Sequence, residues 1–297
     1  MQTIAVVNQK GGCGKSTTAI NTAAAFAERG KRVLLIDLDP QAHATIGLGY
    51  DPDAFRYTIY DLLANADQNL SEVIVSTDAE GLDLAPCNVL LASAELELGG
   101  LPGKELLLSR GLREARRAYD LCVIDCPPSL GVLTLNALVT SSDIVVPVQV
   151  HYYALEGLKR LLETIHIIRD RFHPYSMESI SLLLTFVEER RTFSRQIQQQ
   201  MRDIFGDLVF DTVIHRDVRV AESPSAGESV LTYAPRSKAA TDYRALAGEI
   251  LTGTVVVPET SPSRIRRGIQ KHLTTLFDGV WIPRKMRPID PSSIEST

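Results

Sequence analysis

The chain alternates short continuous apolar runs with longer stretches whose apolar residues recur every three or four positions. The runs at 3–8, 32–37, 81–86, 120–125, 143–148, 180–186 and 208–214 are rich in Val, Ile and Leu, and predict strands buried on both faces. The periodic stretches predict helices over 15–29, closed by Gly30, and over 104–118, 155–171, 194–205 and 238–252. Alternation of this kind is built from βαβ units, so the expected fold class is α/β, a mainly parallel twisted sheet with helices on both faces. Ligands of such sheets bind beyond the C-terminal ends of the strands. The loops that follow the predicted strands hold nearly all of this chain's reactive side chains.

The first such loop is Lys10-Gly11-Gly12-Cys13-Gly14-Lys15-Ser16-Thr17, between the run Ile4-Ala5-Val6-Val7 and the first helical pattern. Glycines let a backbone curl around phosphate oxygens with its N–H groups pointing inward, and the following helix adds its positive end. Lys15 is then placed to reach the β- and γ-phosphates, the Ser16 hydroxyl to ligate Mg²⁺, and Thr17 to donate towards the α-phosphate. The pattern G-x-x-x-x-G-K-[ST] is not met in full, because Gln9 stands where its first glycine falls. A dinucleotide-binding turn fits worse: Thr17 occupies its third glycine position, and Lys15 and Ser16 are left without a role.

Two more strand ends carry carboxylates. The run 32–37 closes in Asp37-Leu38-Asp39-Pro40-Gln41, which is either a surface Asp-Pro turn or a metal-holding and water-orienting pair for phosphoryl transfer. The run 120–125 closes in Asp125-Cys126-Pro127-Pro128-Ser129-Leu130-Gly131, where an aspartate near Mg²⁺ precedes a stiff loop suited to sensing the bound nucleotide. No guanine-reading Asn-Lys-x-Asp motif is present, so ATP is the expected nucleotide.

A loop headed by Lys10 with Gly11-Gly12 behind it, joined to these two carboxylate loops, resembles the ParA/MinD family, the deviant Walker A class of P-loop NTPases. Val146–Gln149, Tyr152–Gly157, Val213–Arg219 and Ala221–Gly227 further resemble the family's ParA/Soj-type partition branch, over residues 2 to about 252. The resemblance implies an ATPase in which Lys10 reaches the nucleotide of a second subunit, Asp39 is catalytic, and Asp37, Asp125 and Ser16 lie at Mg²⁺. It implies an ATP-dependent homodimer, non-specific DNA binding on the nucleoid, and a ParB-like stimulating partner. It also implies DNA contacts by an arginine at the place of Arg190 and by one near Arg219, which makes Arg190, Arg191, Arg195, Arg216 and Arg219 the candidate DNA-binding residues. His215 and Arg216 fall beside the adenine site, with His215 standing where relatives usually carry proline.

Composition narrows this picture. With 297 residues, 44% of them hydrophobic, the chain can bury a large core, and a single domain over 1–253 is expected. The formal net charge of −5 excludes a surface coated for nucleic acid, so any DNA contact must be a local patch. Six arginines between 190 and 219 face four aspartates, an excess that solvated helix faces also show. No helix-turn-helix segment precedes the loop, which argues against operator-specific repression.

Cysteines 13, 87, 122 and 126 form no Cys-x-x-Cys pair and read as structural thiols rather than as the cluster ligands of the family's electron-transfer branch. No apolar stretch approaches the roughly 18 residues of a spanning helix and no basic export region is seen, so the cytosol is the expected compartment. Residues 254–297 are a Pro-, Ser- and Arg-containing tail. Within it, 264–281 has helical apolar spacing (Ile265, Ile269, Leu273, Leu276, Phe277, Val280) flanked by basic residues. A helix packed on the body, a partner or DNA contact, and a MinD-like membrane anchor are all compatible with that pattern.

Overall fold

The structure, a computed structural model, describes residues 1–150, 154–172 and 178–253. Seven strands form one sheet: β1 Gln2–Val6, β2 Val33–Asp37, β3 Val75–Ser76, β4 Leu82–Ala85, β5 Leu121–Asp125, β6 Asp143–Gln149 and β7 Ser179–Thr185. Their spatial order is β3-β4-β2-β5-β1-β6-β7, parallel throughout except for the short edge strand β3 against β4. The helices used below are α1 Lys15–Glu28, α2 His43–Gly47, α3 Leu91–Glu97, α4 Val132–Thr140, α5 Ala154–Phe172, α6 Thr192–Phe205 and α7 Lys238–Thr252.

β1, β2 and β5 are buried along almost their whole length because helices cover both faces of the sheet centre. The register aligns their ends, pairing Val6 with Asp125 and Asp125 with Asp37. Three chemistry-bearing loops therefore leave the sheet side by side. α1 packs closely on this sheet because alanines at 19, 23, 24, 25 and 27 give it a flat side, and Phe26 and the α7 residue Tyr243 fill the same core cluster.

Two sequence expectations are corrected. Residues 208–214 are not a strand: they touch β7 through one bridge, Leu182 to Val209, and through Ile214 N donating to Leu184 O at 2.8 Å. The Glu249 carboxylate accepts from Asp211 N and Thr212 N at 2.7 and 2.9 Å, and so takes the donors that a continuous ladder would use. The single helix expected over 104–118 is three short turns, 104–106, 107–111 and 115–118. Asn136 of α4 accepts from Leu108 N at 3.0 Å and donates to Lys104 O at 2.8 Å, so a side chain replaces helical pairing there. The tail 254–297, with the amphipathic pattern at 264–281, lies outside the described residues. Among the described residues no helix is long and apolar enough to cross a membrane.

Phe26 is fully buried between α1, the sheet and α7. Phe26→Ala is expected to lower the unfolding free energy by about 3–5 kcal/mol in urea titration. A loss below about 1 kcal/mol would show that the α1–sheet core does not depend on this ring.

Candidate active site

The loop after β1 is tied to the strands on one side of it. Asn8 Nδ2 donates to Pro147 O at 2.6 Å, and Asn8 Oδ1 accepts from Lys10 N at 3.0 Å. Lys10 Nζ donates to Gln149 Oε1 at 3.1 Å, and Thr185 Oγ1 donates to Cys13 O at 3.0 Å. β6 and β7 therefore fix the loop that β1 delivers. Gly12 and Gly14 hold φ of +70° and +93°, left-handed values that side chains rarely adopt, and Gly14 opens α1. A Cβ at Gly11 or Gly12 would meet nothing within 4 Å, so the loop is open to solvent at these two residues.

The two lysines sit in different surroundings. Lys15 is 7% exposed, while Lys10 stands in solvent at the lip of the loop. Three aspartates at the neighbouring strand ends, Asp37, Asp39 and Asp125, are all buried, and Lys15 acts on Asp125. Asp125 is fully buried, and neither of its oxygens meets a donor in hydrogen-bond geometry. Burial drives its pKa well above the carboxylate range, and Asp37 adds to the rise. The hydroxyl of Ser16 and the ammonium of Lys15 are near enough to pull it partly back. A buried carboxylate short of donors beside a loop hydroxyl is an oxygen donor set suited to Mg²⁺, and the open glycine loop above it suits a polyphosphate.

Asp37, expected at Mg²⁺ with Asp125, differs from it in being well supplied with donors. Its oxygens accept from Thr45 N at 2.8 Å, Thr45 Oγ1 at 2.8 Å and Asp39 N at 3.2 Å. Burial nevertheless raises its pKa to about 6. It holds the turn that carries Asp39 into α2. That turn has Ala42 at φ +54°, and Cys87 Sγ donates to Asp39 O at 2.8 Å. Asp39 Oδ1 accepts from Gln41 N at 3.0 Å.

His215 and Arg216 lie along the wall beside β7, where Arg216 N donates to Val187 O at 3.0 Å. Both ring nitrogens of His215 are engaged, Nδ1 with Asp242 and Nε2 with Glu189, each at 2.8 Å. Arg216 pairs with Glu188 at 3.4 Å. Phe186, at φ +56° and 40% exposed, stands against the loop near Gly14. Of the candidate DNA arginines, Arg191 pairs with Glu188 and Arg219 with Glu222, whereas Arg190 and Arg195 make no ion pair among the described residues. Cys13, Cys87, Cys122 and Cys126 are free and buried, with thiols pushed up by burial.

Asn8, Thr45, Cys87, Gln149, Thr185 and Phe186 were not anticipated from sequence. Each acts across the fold, and only the position of Asn8, between strand and loop, carries a local signal.

Comparison with known proteins decides the family. An AAA domain model matches residues 1–180. The sporulation initiation inhibitor protein Soj of Bacillus subtilis is 43% identical over 247 residues, covering 83% of this chain and 97% of Soj. The chain belongs to the ParA/Soj-type partition ATPases. The chromosome partitioning protein ParA of Caulobacter vibrioides is 41% identical over 255 residues, covering 85% of this chain and 94% of its own length. Among solved structures, cobyrinic acid a,c-diamide synthase from Mycobacterium smegmatis, holding an ATP analogue and magnesium, is 35% identical with a TM-score of 0.75. It covers 88% of this chain and all of its own. Pyrococcus furiosus MinD, at 24% identity and a TM-score of 0.68, shares the fold. This partition ATPase is accordingly a P-loop ATPase with ATP and Mg²⁺ as its cofactors.

Asp125→Asn removes a buried charge that has no donor. It is expected to raise the Tm of the nucleotide-free protein at pH 8 while abolishing the extra Tm gain that Mg²⁺ gives in the presence of ATP. The sign follows from linkage. A carboxyl whose folded-state pKa is raised lowers stability as pH climbs through and above the ordinary carboxylate range, and costs nothing below it. The Tm difference should therefore shrink towards pH 4.5 in thermal scans. A variant less stable than wild type at pH 8, or still stabilised by Mg²⁺, would contradict the reading.

Proposed function

We propose that this ATPase is a nucleotide-driven dimerising switch that binds DNA without sequence preference and positions a chromosome, plasmid or other cargo together with a ParB-like partner in the cytoplasm, on the nucleoid. The observation that carries the reading is the division between the lysines: Lys15 is buried in its own loop and Lys10 is exposed at the lip. A second cation is not needed to neutralise a nucleotide that Lys15 already meets. It is needed when two subunits close face to face, because two buried polyphosphates repel unless positive charge crosses between them.

In this reading Lys15, the Gly11, Gly12, Cys13 and Gly14 backbone and Thr17 hold the phosphates, and Ser16 and Asp125 hold Mg²⁺. Bound magnesium would neutralise charge on the phosphates during transfer. Asp39, at the turn fixed by Asp37 and Cys87, orients the attacking water. Arg190 and Arg195, the two cations of the patch without a carboxylate partner among the described residues, are the first candidates for phosphate contacts. Residues 1–253 form the ATPase domain, and the MinD-like alternative of membrane attachment depends on the tail beyond it.

Lys10→Ala is expected to keep ATP affinity within a few-fold and to remain monomeric with ATP in size-exclusion chromatography, under conditions where Asp39→Ala accumulates as dimer. Dimerisation of Lys10→Ala like wild type would remove the cross-subunit role. Binding to random duplex DNA should require ATP and fall steeply with salt. Replacing Arg190, Arg195 or Arg219 with Ala should each weaken it and reduce the log–log salt slope by about 0.9 for each phosphate no longer neutralised. ATP-independent binding, or unchanged slopes in all three variants, would refute the coupling.

A further inference from the structure

The segment 87–95 connects the two loops that carry Asp39 and Asp125. At its start, Cys87 Sγ donates to Asp39 O at 2.8 Å, and Cys87 N donates to Thr45 Oγ1 at 3.2 Å. At its end, Glu95 Oε2 accepts from Val132 N at 2.9 Å, and Oε1 accepts from Leu133 N at 3.4 Å. Val132 and Leu133 begin α4, the helix that follows the loop 126–131. Leu91, Ala94 and Leu98 are buried and fasten α3 to the body, so the Glu95 carboxylate is held from behind.

Gly131 and Glu95 account for each other. Gly131 is the N-terminal flanking residue of α4, at φ −81° and ψ −165°, a conformation open to any residue, so left-handed geometry is not what selects glycine there. A Cβ at 131 would collide with both carboxylate oxygens of Glu95. Position 131 would ordinarily hold Ser, Thr or Asp to cap α4 itself. Here the cap is supplied from α3, 36 residues earlier in the chain. A local cap would satisfy the helix equally well, so a long-range cap matters for what it connects.

We propose that Glu95 is a positioning residue that ties the nucleotide-sensing loop 126–131 to the Asp39 turn through the strut 87–95, so that the two loops move as one when the γ-phosphate is present or lost. The inference rests on the reading of Asp39 and Asp125 as nucleotide-facing groups. Glu95 acts on backbone, through the amides of Val132 and Leu133. It fixes the far end of the loop whose near end is Asp125, while Cys87 fixes the backbone of Asp39. A partner that moved α3 would alter both carboxylates together.

The test separates tethering from capping. Steady-state ATP turnover, KM for ATP, ADP affinity and Tm are measured for full-length wild type, Glu95→Gln, Glu95→Ala and the double variant Glu95→Ala/Gly131→Ser. The double variant restores a local cap in the space that the shorter side chain frees. Glu95→Ala should lose about tenfold in kcat, with KM and ADP affinity changed less than about threefold. Glu95→Gln, which keeps one acceptor oxygen, should fall between Glu95→Ala and wild type. The double variant should regain Tm without regaining kcat. Turnover that returns together with Tm would reduce Glu95 to a helix cap and overturn the proposal, as would a Glu95→Ala enzyme as fast as wild type. Asp39→Ala measured in parallel tests the underlying reading separately: if it loses turnover while Glu95→Ala keeps it, the tether alone fails.

Discussion

Three buried aspartates gather at the ends of β2 and β5, and the buried Lys15 ammonium acts on one of them, Asp125. Asp37 and Asp125 are register neighbours on adjacent strands, both completely buried, and Asp39 follows two residues after Asp37. Asp37 is compensated by Thr45 and by the Asp39 amide, whereas Asp125 has no donor in hydrogen-bond geometry and only the nearby Ser16 and Lys15 to favour its charge. Leaving a charged group in that condition costs the folded state stability that its apolar core must offset. One more donor would cure this, and without it the charged form of Asp125 is the kind of group that a neighbouring cation stabilises. The fold around it reads as support for that deficit. α1 is packed rigidly on the sheet through its alanines, and β6 and β7 pin the loop that presents Lys15.

Much of this was legible in the sequence where local pattern and tertiary structure agree. β1, β2, β5 and β6 are continuous apolar runs because helices cover them on both sides, and α1 begins where glycines give way to a small-residue helical pattern. Disagreement arose where a distant side chain took over a backbone partner. The run 208–214 has strand-like composition, but Glu249 takes two of its N–H groups, and the segment touches β7 only at intervals. The run 104–118 has helical spacing, but Asn136 binds its backbone at Lys104 and Leu108, and Gly111 lies where a side chain would strike Leu62. Neither Glu249 nor Asn136 has a local signature, so no reading of those windows alone could have found them.

The site shows the same boundary. The types and spacing of Lys10, Lys15, Ser16, Asp39 and Asp125 pointed to one end of one sheet, because each follows a predicted strand. Sequence did not separate Asp37 from Asp125. Both close apolar strands, and only the structure shows that Asp37 is met by Thr45 of α2, eight residues later, while Asp125 is not. His215 was expected beside the adenine site, where relatives usually carry proline. The structure shows both its ring nitrogens engaged, by Asp242 and Glu189, joining α7 to the loop after β7, and Phe186 is an exposed ring at that wall.

The way the loops are fastened bears on how a small ligand could reorganise so large a face. Lys10 is held by Gln149 at the end of β6, the Cys13 carbonyl by Thr185 at the end of β7, and the Asp39 turn by Cys87 beyond β4. Each contact is a single polar bond, and those of Lys10 lie in solvent, where an individual hydrogen bond contributes only about 0.5–1.5 kcal/mol. Bonds of that size hold a loop in place without trapping it, and a triphosphate offering several charge-assisted partners outweighs any one of them. The sheet beneath is buried and packed, so it cannot absorb the change by deforming. The loops at the strand ends, on the face where the exposed Lys10 lies, are therefore the parts of this fold held most lightly.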